Sequence, residues 1–228
     1  MRQRNRRIAD VVDDVVPVLD SIEWDRFGVW SGSGGAPHAL ALAASLADRV
    51  SACASVVGPA PFEAAGLDWF TGMSRGNVED FTLAARGEQA YRPLVLRLAE
   101  EAVTAIEAGG IQVAPGYDLP EADRRALRAR FREDGYVDRM RATYTGGVDG
   151  WTDDCIAMTR PWGFDLAAID VPTSIWYGAD DVLSPRAHAE HLFRVIPGAH
   201  RQELPGGGHV LSDNDLDAIH RWLLTASQ

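Results

Sequence analysis

The chain has 228 residues, 46% of them hydrophobic and 24% charged, globular proportions that exclude disordered and low-complexity classes. Its 33 acidic and 22 basic residues leave a net charge of −11, which argues against general nucleic-acid binding because no broad face would neutralise phosphates. All 22 basic residues are arginine, and a chain without lysine has neither a Walker-type phosphate loop nor a Schiff-base amine.

Ile8, Val11, Val15, Leu19 and Ile22 recur at spacings of three or four, which predicts an amphipathic helix. Arg26 to Trp30 reads as a strand, Ser31 to Pro37 as a tight turn, His38 to Asp48 as a buried helix and Val50 to Val57 as a second buried strand. Strand, turn, helix and strand in so short a span form a parallel crossover unit. From about Pro61 to Asp149 the pattern turns helical: Pro93 is expected to open a helix closed by Gly109-Gly110, and Pro120 another closed by Gly135. The α/β alternation then resumes with a strand at Thr173 to Tyr177, a helix at Pro185 to Ile196, a strand at Arg201 to Leu204 and a closing helix at Leu216 to Thr225. The core is thus expected over 1–60 and 150–228, with a helical insertion over 61–149.

The arginine-rich run Glu121 to Asp134 is read as a solvated helix face with i,i+4 pairing rather than an anion site. Cys53 and Cys155 lie far apart without a CxxC, so neither a disulfide framework nor a zinc site is indicated, and both read as small buried apolar residues. No apolar run approaches the ~18 residues of a membrane span. The basic start MRQRNRR is followed by Asp10, Asp13 and Asp14 where a signal peptide needs an apolar core, so the expectation is a cytoplasmic protein without membrane contact.

Chemistry gathers at three strand ends. Ser31-Gly32-Ser33-Gly34-Gly35 stands between a strand and a helix. It admits two readings: a phosphate cradle at a helix N-terminus, or the G-x-S-x-G elbow that lifts a nucleophilic serine clear of the backbone. The dinucleotide pattern GxGxxG fails because Pro37 occupies its third glycine position, and the elbow pattern departs only in having Ser31 for the first glycine. In the elbow the Gly34 N–H would face the reacting oxygen. Asp180-Asp181 ends the Thr173 strand, and Gly206-Gly207-Gly208-His209 follows the last strand. The order Ser, Asp, His at the carboxyl edge of a parallel sheet is that of hydrolase triads. His38, His188, His191, His200 and His220 lie in or beside regular elements and read as structural.

WSGSGGAPHALALAASLADRV, VPTSIWYGADDVLSP and IPGAHRQELPGGGHVLS together resemble the elbow, acid turn and histidine loop of an α/β-hydrolase of the actinobacterial type. EAAGLDWFTGMSRGNVEDF and VDGWTDDCIAMTRPWGFDLAAI resemble the cap of the same subgroup and its return to the core. The resemblance implies an α/β-hydrolase fold with a parallel sheet of about four strands and a helical cap. Its G-x-x-D-x-x-x-P spacing selects Asp181 over Asp180. The catalytic set would be Ser33, Asp181 and His209, with Gly34 in the oxyanion hole and no metal or cofactor. Trp69, Phe70 and Met73 are candidates for the apolar wall of the substrate pocket or, equally, for the cap's own core.

The resemblance departs at the front. The family's first strands and a His-Gly loop, whose backbone gives the second oxyanion donor, have no counterpart before Ser33. The chain as written is therefore expected to be impaired, unless a backbone group between Gly58 and Pro61 replaces that donor. Two functions follow as expectations: a serine hydrolase of a small ester, amide or lactone, with peroxide use by the same triad not separated from it, or an inactive remnant that binds a ligand or partner. The exposed strand edge would offer a homodimer contact.

Overall fold

The computed structural model describes residues 2–108 and 116–227. In chain order its regular elements are α1 (Val11–Ser21), β1 (Phe27–Gly32), α2 (Ala36–Ser45), β2 (Val50–Val56), α3 (Arg75–Ala85), α4 (Glu88–Glu107), α5 (Glu121–Arg130), α6 (Tyr136–Thr145), α7 (Asp149–Met158), β3 (Thr173–Tyr177), α8 (Arg186–Val195), β4 (His200–Glu203) and α9 (Asp213–Ala226). Among the described residues no helix is long and apolar enough to cross a membrane.

The four strands form one parallel sheet in the order β1-β2-β3-β4. Every residue of β3 is buried and β2 is nearly so, as expected of inner strands covered on both faces. On one face Leu40 of α2, Leu192 of α8, Ile8 and Ile175 share a core with Met158 and Trp162. On the other, Ile219 and Leu223 of α9 pack on Ala52, Ala54, Val56 and Trp176. The small alanines of α2 and β2 let helix and sheet approach closely, which is why that stretch has so many of them.

Between β2 and β3 the chain is helical, with its own apolar cluster of Ala84, Tyr91, Val95, Leu98 and Ile156. Helix α7 joins this cluster to the sheet core, since Ile156 belongs to one and Met158 to the other. An unforeseen clamp ties the N-terminal arm to these helices. Arg2 makes two 2.6 Å bonds to Asp153 and lies 3.0 Å from Glu88, and Arg4 reaches Glu88 at 2.6 Å.

Several boundaries differ from expectation. The first helix is a short 3-10 turn, Ile8–Asp10, followed by α1, and Ile22 caps its end 52% exposed instead of joining the buried stripe. Pro93 does not open α4, which starts at Glu88. Pro93 sits on the exposed face, where the carbonyl of Gln89, deprived of its N–H partner, meets solvent. Gly109-Gly110, expected to close that helix, lie outside the described residues. Helix α5 ends at Arg130, and Gly135 instead starts α6 in the left-handed conformation, φ 74°. The arginines of α5 do pair with acids, but not at i,i+4: Arg128 bonds Glu121, and Arg130 lies 2.9 Å from Glu133 and 3.4 Å from Asp213.

Candidate active site

The strand register puts Gly32, Val56, Trp176 and Gln202 in one row across the sheet. The next residue after Gly32 is Ser33, and the loops just beyond Trp176 and Gln202 carry Asp181 and His209. Three polar side chains from distant parts of the sequence thus meet above one sheet edge, as ligand sites of parallel sheets do.

Ser33 has φ 54°, a left-handed conformation uncommon in a residue with a Cβ, held between β1 and a 3-10 turn at Ser33–Gly35. The turn closes tightly: a Cβ at Gly35 would lie 2.2 Å from Ser31 Oγ, so a side chain at 35 would require the Ser31 hydroxyl to turn aside. The turn directs the Ser33 hydroxyl outward, as the elbow reading expects. Ser33 is accordingly exposed.

His209 Nε2 lies 2.9 Å from Ser33 Oγ, and its Nδ1 lies 2.8 Å from Asp181 Oδ2. Asp181 is 5% exposed, and its other oxygen accepts the backbone N–H of Leu183 at 2.7 Å and of Ser184 at 2.9 Å. Both oxygens of a buried carboxylate are therefore satisfied. Asp180 is exposed and takes no part; its N–H donates to Gly207 O at 2.7 Å, joining the acid loop to the histidine loop. The two loops also touch at Gly178, where a Cβ would stand 2.3 Å from Gly208 O.

The histidine loop is fastened twice more. Asp215 in the first turn of α9 accepts from Gly206 N at 3.2 Å while closing a capping box with Ser212. From the opposite side Asp123 of α5, fully buried, accepts the N–H of Val210 at 2.8 Å. Burial pushes the Asp123 carboxyl up, against the pull of that hydrogen bond and of His209 nearby. Two further histidines keep the structural roles expected of them. His188 accepts from Ala60 N at 3.1 Å and donates Nε2–H to Trp69 O at 3.0 Å, and burial lowers it to about 4. His38 lies 3.2 Å from Gly34 O and is also lowered by burial.

Beside Ser33 opens a cavity of about 230 Å³, walled by Pro59, by Asn77, Asp80 and Phe81 of α3 and by Trp151, Cys155 and Met158 of α7. Trp69, Phe70 and Met73, the candidate pocket walls, are not part of its lining. Trp69 is 5% exposed, stacked edge-on against Phe81 at 4.7 Å and His188 at 4.9 Å, with its N–H donated to Ala60 O at 2.9 Å. It forms the core behind the cavity. Cys53 is buried as expected, whereas Cys155 is half-buried and lines the cavity; burial pushes its thiol up to about 12, leaving it un-ionised and a poor nucleophile.

Among the described residues, the segment Gly58 to Pro61 leaves one candidate for a second oxyanion donor. Pro59 and Pro61 have no N–H and that of Ala60 is given to His188, which leaves Gly58. Sequence reasoning missed Asp123, Asn77 and Asp80. For the last two a signal existed, since Asn77, Asp80, Phe81 and Ala84 mark an i, i+3, i+4, i+7 face on which polar residues stand where apolar ones are usual.

The family profile for the alpha/beta hydrolase fold matches residues 2–216. RutD of Klebsiella pneumoniae (strain 342), provisionally named a carbamate hydrolase, is 43% identical over 54 residues, 24% of this chain and 20% of that protein. The matched stretch thus spans a fifth of that curated relative. Among solved structures, a thermophilic esterase from Thermogutta terrifontis superposes with TM-score 0.66 at 18% identity over 100% of this chain and 75% of its own. The enol-lactonase from Burkholderia xenovorans LB400 gives 0.59 at 19% identity, over 97% of this chain and 73% of its own. Est816, an N-acyl homoserine lactone degrading enzyme, gives 0.60 at 17%, over 97% and 75%. At these identities the superpositions establish the fold.

Proposed function

The chain belongs to the alpha/beta hydrolase family, and from that premise we propose that it is a serine hydrolase cleaving a small carboxylic ester, amide or lactone. The observation carrying this reading is the unbroken relay from exposed Ser33 through His209 to buried Asp181, with contacts of 2.9 and 2.8 Å. The esterase and lactonases that share the fold act on bonds of this class.

Ser33 Oγ attacks the carbonyl carbon while His209 Nε2 takes its proton, and the carbonyl π pair moves onto the oxygen. Asp181 holds Nδ1–H, fixing the tautomer that leaves Nε2 free, and stabilises the imidazolium. The Gly34 N–H receives the developing oxyanion at the start of α2, with the Gly58 N–H as the second donor. Collapse expels the alcohol or amine, which leaves with the proton from Nε2; from a lactone it stays tethered to the acyl chain. Water then attacks the acyl-enzyme with the same base, and the proton returns to Ser33.

A fluorophosphonate probe tests the assignment directly. Peptide mass spectrometry should find Ser33 labelled and S33A unlabelled, with p-nitrophenyl butyrate hydrolysis lost in S33A. Labelling at Ser31, or hydrolysis unchanged in S33A, would overturn it.

A further inference from the structure

Helix α7 is held on one side and walls the cavity with the other. Trp151, Cys155 and Met158 follow one another at i, i+4 and i+7 and line the cavity beside Ser33. Met158 also flanks the oxyanion candidate: a Cβ at Gly34 would stand 3.2 Å from its Cε. Asp149 and Asp153, four residues apart, lie about half a turn round the helix from that stripe. There they meet the N-terminal arm.

Arg2 gives Nε–H and Nη2–H to the two oxygens of Asp153, both at 2.6 Å, and its Nη1 lies 3.0 Å from Glu88 of α4 and 3.5 Å from Asp149. The Arg2 and Asp153 side chains are only 19% and 11% exposed. Isolated surface ion pairs contribute little, but a forked guanidinium–carboxylate contact within a charge network is the kind that does contribute. Arg4 and Arg92 extend the network, Arg4 to Glu88 at 2.6 Å and Arg92 to Asp149 at 2.5 Å. Farther along the arm, Arg160 donates to Asn5 Oδ1 at 3.1 Å and the Ala9 N–H to Trp162 O at 2.9 Å. The arm is thus fastened to α7 and to the chain that follows it, on the side of the helix away from the cavity.

We propose that Arg2 is a positioning residue for the substrate pocket: by clasping Asp153 and Glu88 it sets how close α7 stands to Ser33, and so the size of acyl group that the cavity of about 230 Å³ admits. The reading of the cavity as an acyl pocket rests on the proposed function; the clasp on α7 does not.

Cys155 reports the position of α7 without any turnover. It lines the cavity half-buried, whereas Cys53 is fully buried in the sheet core. An outward step of α7 hydrates the Cys155 thiol, which burial pushes up to about 12, and so raises its reactivity. N-ethylmaleimide labelling of the full-length chain is read by peptide mass spectrometry. It should be about 10-fold faster at Cys155 in R2A than in the parent, the local opening that loss of a hydrogen bond to a charged group allows. Cys53 should stay protected in both. R2K keeps the charge but not the fork and should fall between them. D153N keeps the side-chain volume and decides the matter if R2A does not fold: Cys155 should again be labelled faster, with Cys53 protected. An unchanged Cys155 rate in the folded variants, or Cys53 labelled in step with Cys155, overturns the clasp.

The p-nitrophenyl esters of butyrate and octanoate read the pocket itself. In R2A the ratio of kcat/KM for octanoate to that for butyrate should rise about 10-fold, through KM more than through kcat. Faster Cys155 labelling with no ester turnover in any chain bears out the clasp and removes the role of Ser33. Turnover with the parent's chain-length ratio in R2A overturns the part of Arg2 in selectivity and leaves the hydrolase reading standing.

Discussion

Asp123, on a helix outside the sheet, accepts the backbone N–H of Val210 at 2.8 Å, one residue beyond the histidine that bridges Ser33 and Asp181. The helical segment between β2 and β3 is therefore bonded to the loop that carries His209. Arg130, on the same helix, adds a 3.2 Å bond to Leu211 O. Replacing Asp123 by alanine leaves a backbone donor unpaired and should destabilise the fold by about 1–3 kcal/mol. It should also lower kcat about 10-fold with KM little changed, since a displaced base is felt in the chemical step. Asp123→Asn, which still accepts, should recover most of both. Urea titration and steady-state kinetics on the three chains check this; equal kcat in all of them would show that the bond does not position His209.

Two adjacent acids should behave differently. Asp181→Asn keeps the shape but favours the wrong imidazole tautomer, and kcat should drop by about 10³–10⁴. Asp180→Asn touches only an exposed side chain and should stay within twofold of the parent. The pair is read in one p-nitrophenyl butyrate assay, and a larger loss in D180N would transfer the role to Asp180.

His188 sets a pH limit on stability. Its folded value of about 4 lies below the ordinary 6.5, so the unfolded chain binds the proton first. The sign follows: the contribution is full above about 6.5 and is lost as pH falls towards 4. Between pH 7 and pH 5 this one group should remove about 2 kcal/mol. His188→Gln should be less stable at pH 7, having lost the bonds to Ala60 and Trp69, but its urea midpoint should fall less on acidification. Parallel pH dependence in the two proteins would show that His188 is not the titrating group.

Gly178→Ala tests the contact between the acid and histidine loops. The added Cβ would stand 2.3 Å from Gly208 O, backbone that cannot swing aside, so the loops must separate. Activity should fall at least 10-fold together with a loss of about 1–3 kcal/mol in stability. Hydrogen exchange localised to residues 206–210 would show the site of the damage; an unperturbed loop with full activity would refute the contact.

The parts of this fold legible in the sequence are those where local chemistry and tertiary demand coincide. The apolar run of β2, the Ala/Leu face of α2 and the glycines around Ser33 each state their surroundings. Asp181 could be preferred to Asp180 only by the spacing of a family turn; physically the choice depends on which carboxylate meets the Leu183 and Ser184 N–H groups, a matter of loop conformation. Pro93 misled because proline is penalised by the bond it removes, and the sequence does not say that the orphaned carbonyl of Gln89 faces water. Trp69 is large and apolar, properties shared by a pocket wall and a core, and only the ring contacts with Phe81 and His188 distinguish them. Asp123 looked like one more acid in a charged helix because its partner, Val210, lies 87 residues away.

The two borders of the sheet are unequal among the described residues, and that would give any edge-to-edge pairing a direction. β4 is four residues long and mostly exposed, its Arg201 held by Glu190 at 2.8 Å, a short charged border that repels an incoming strand. β1 is six residues long, carries no charged side chain and has no strand on its outer side among the described residues. The exposed Val18, Ile22 and Trp24 precede it in the chain. Joining β1 of one copy to β4 of the next would repeat without end, but β4 is the border least fit to receive it. Joining β1 to β1 would use the same strand twice about a two-fold axis and occupy, in both copies, the one uncharged border of the sheet among the described residues. A sheet extended through such a β1 pair would be bounded on both sides by the charged β4 border and would stop there.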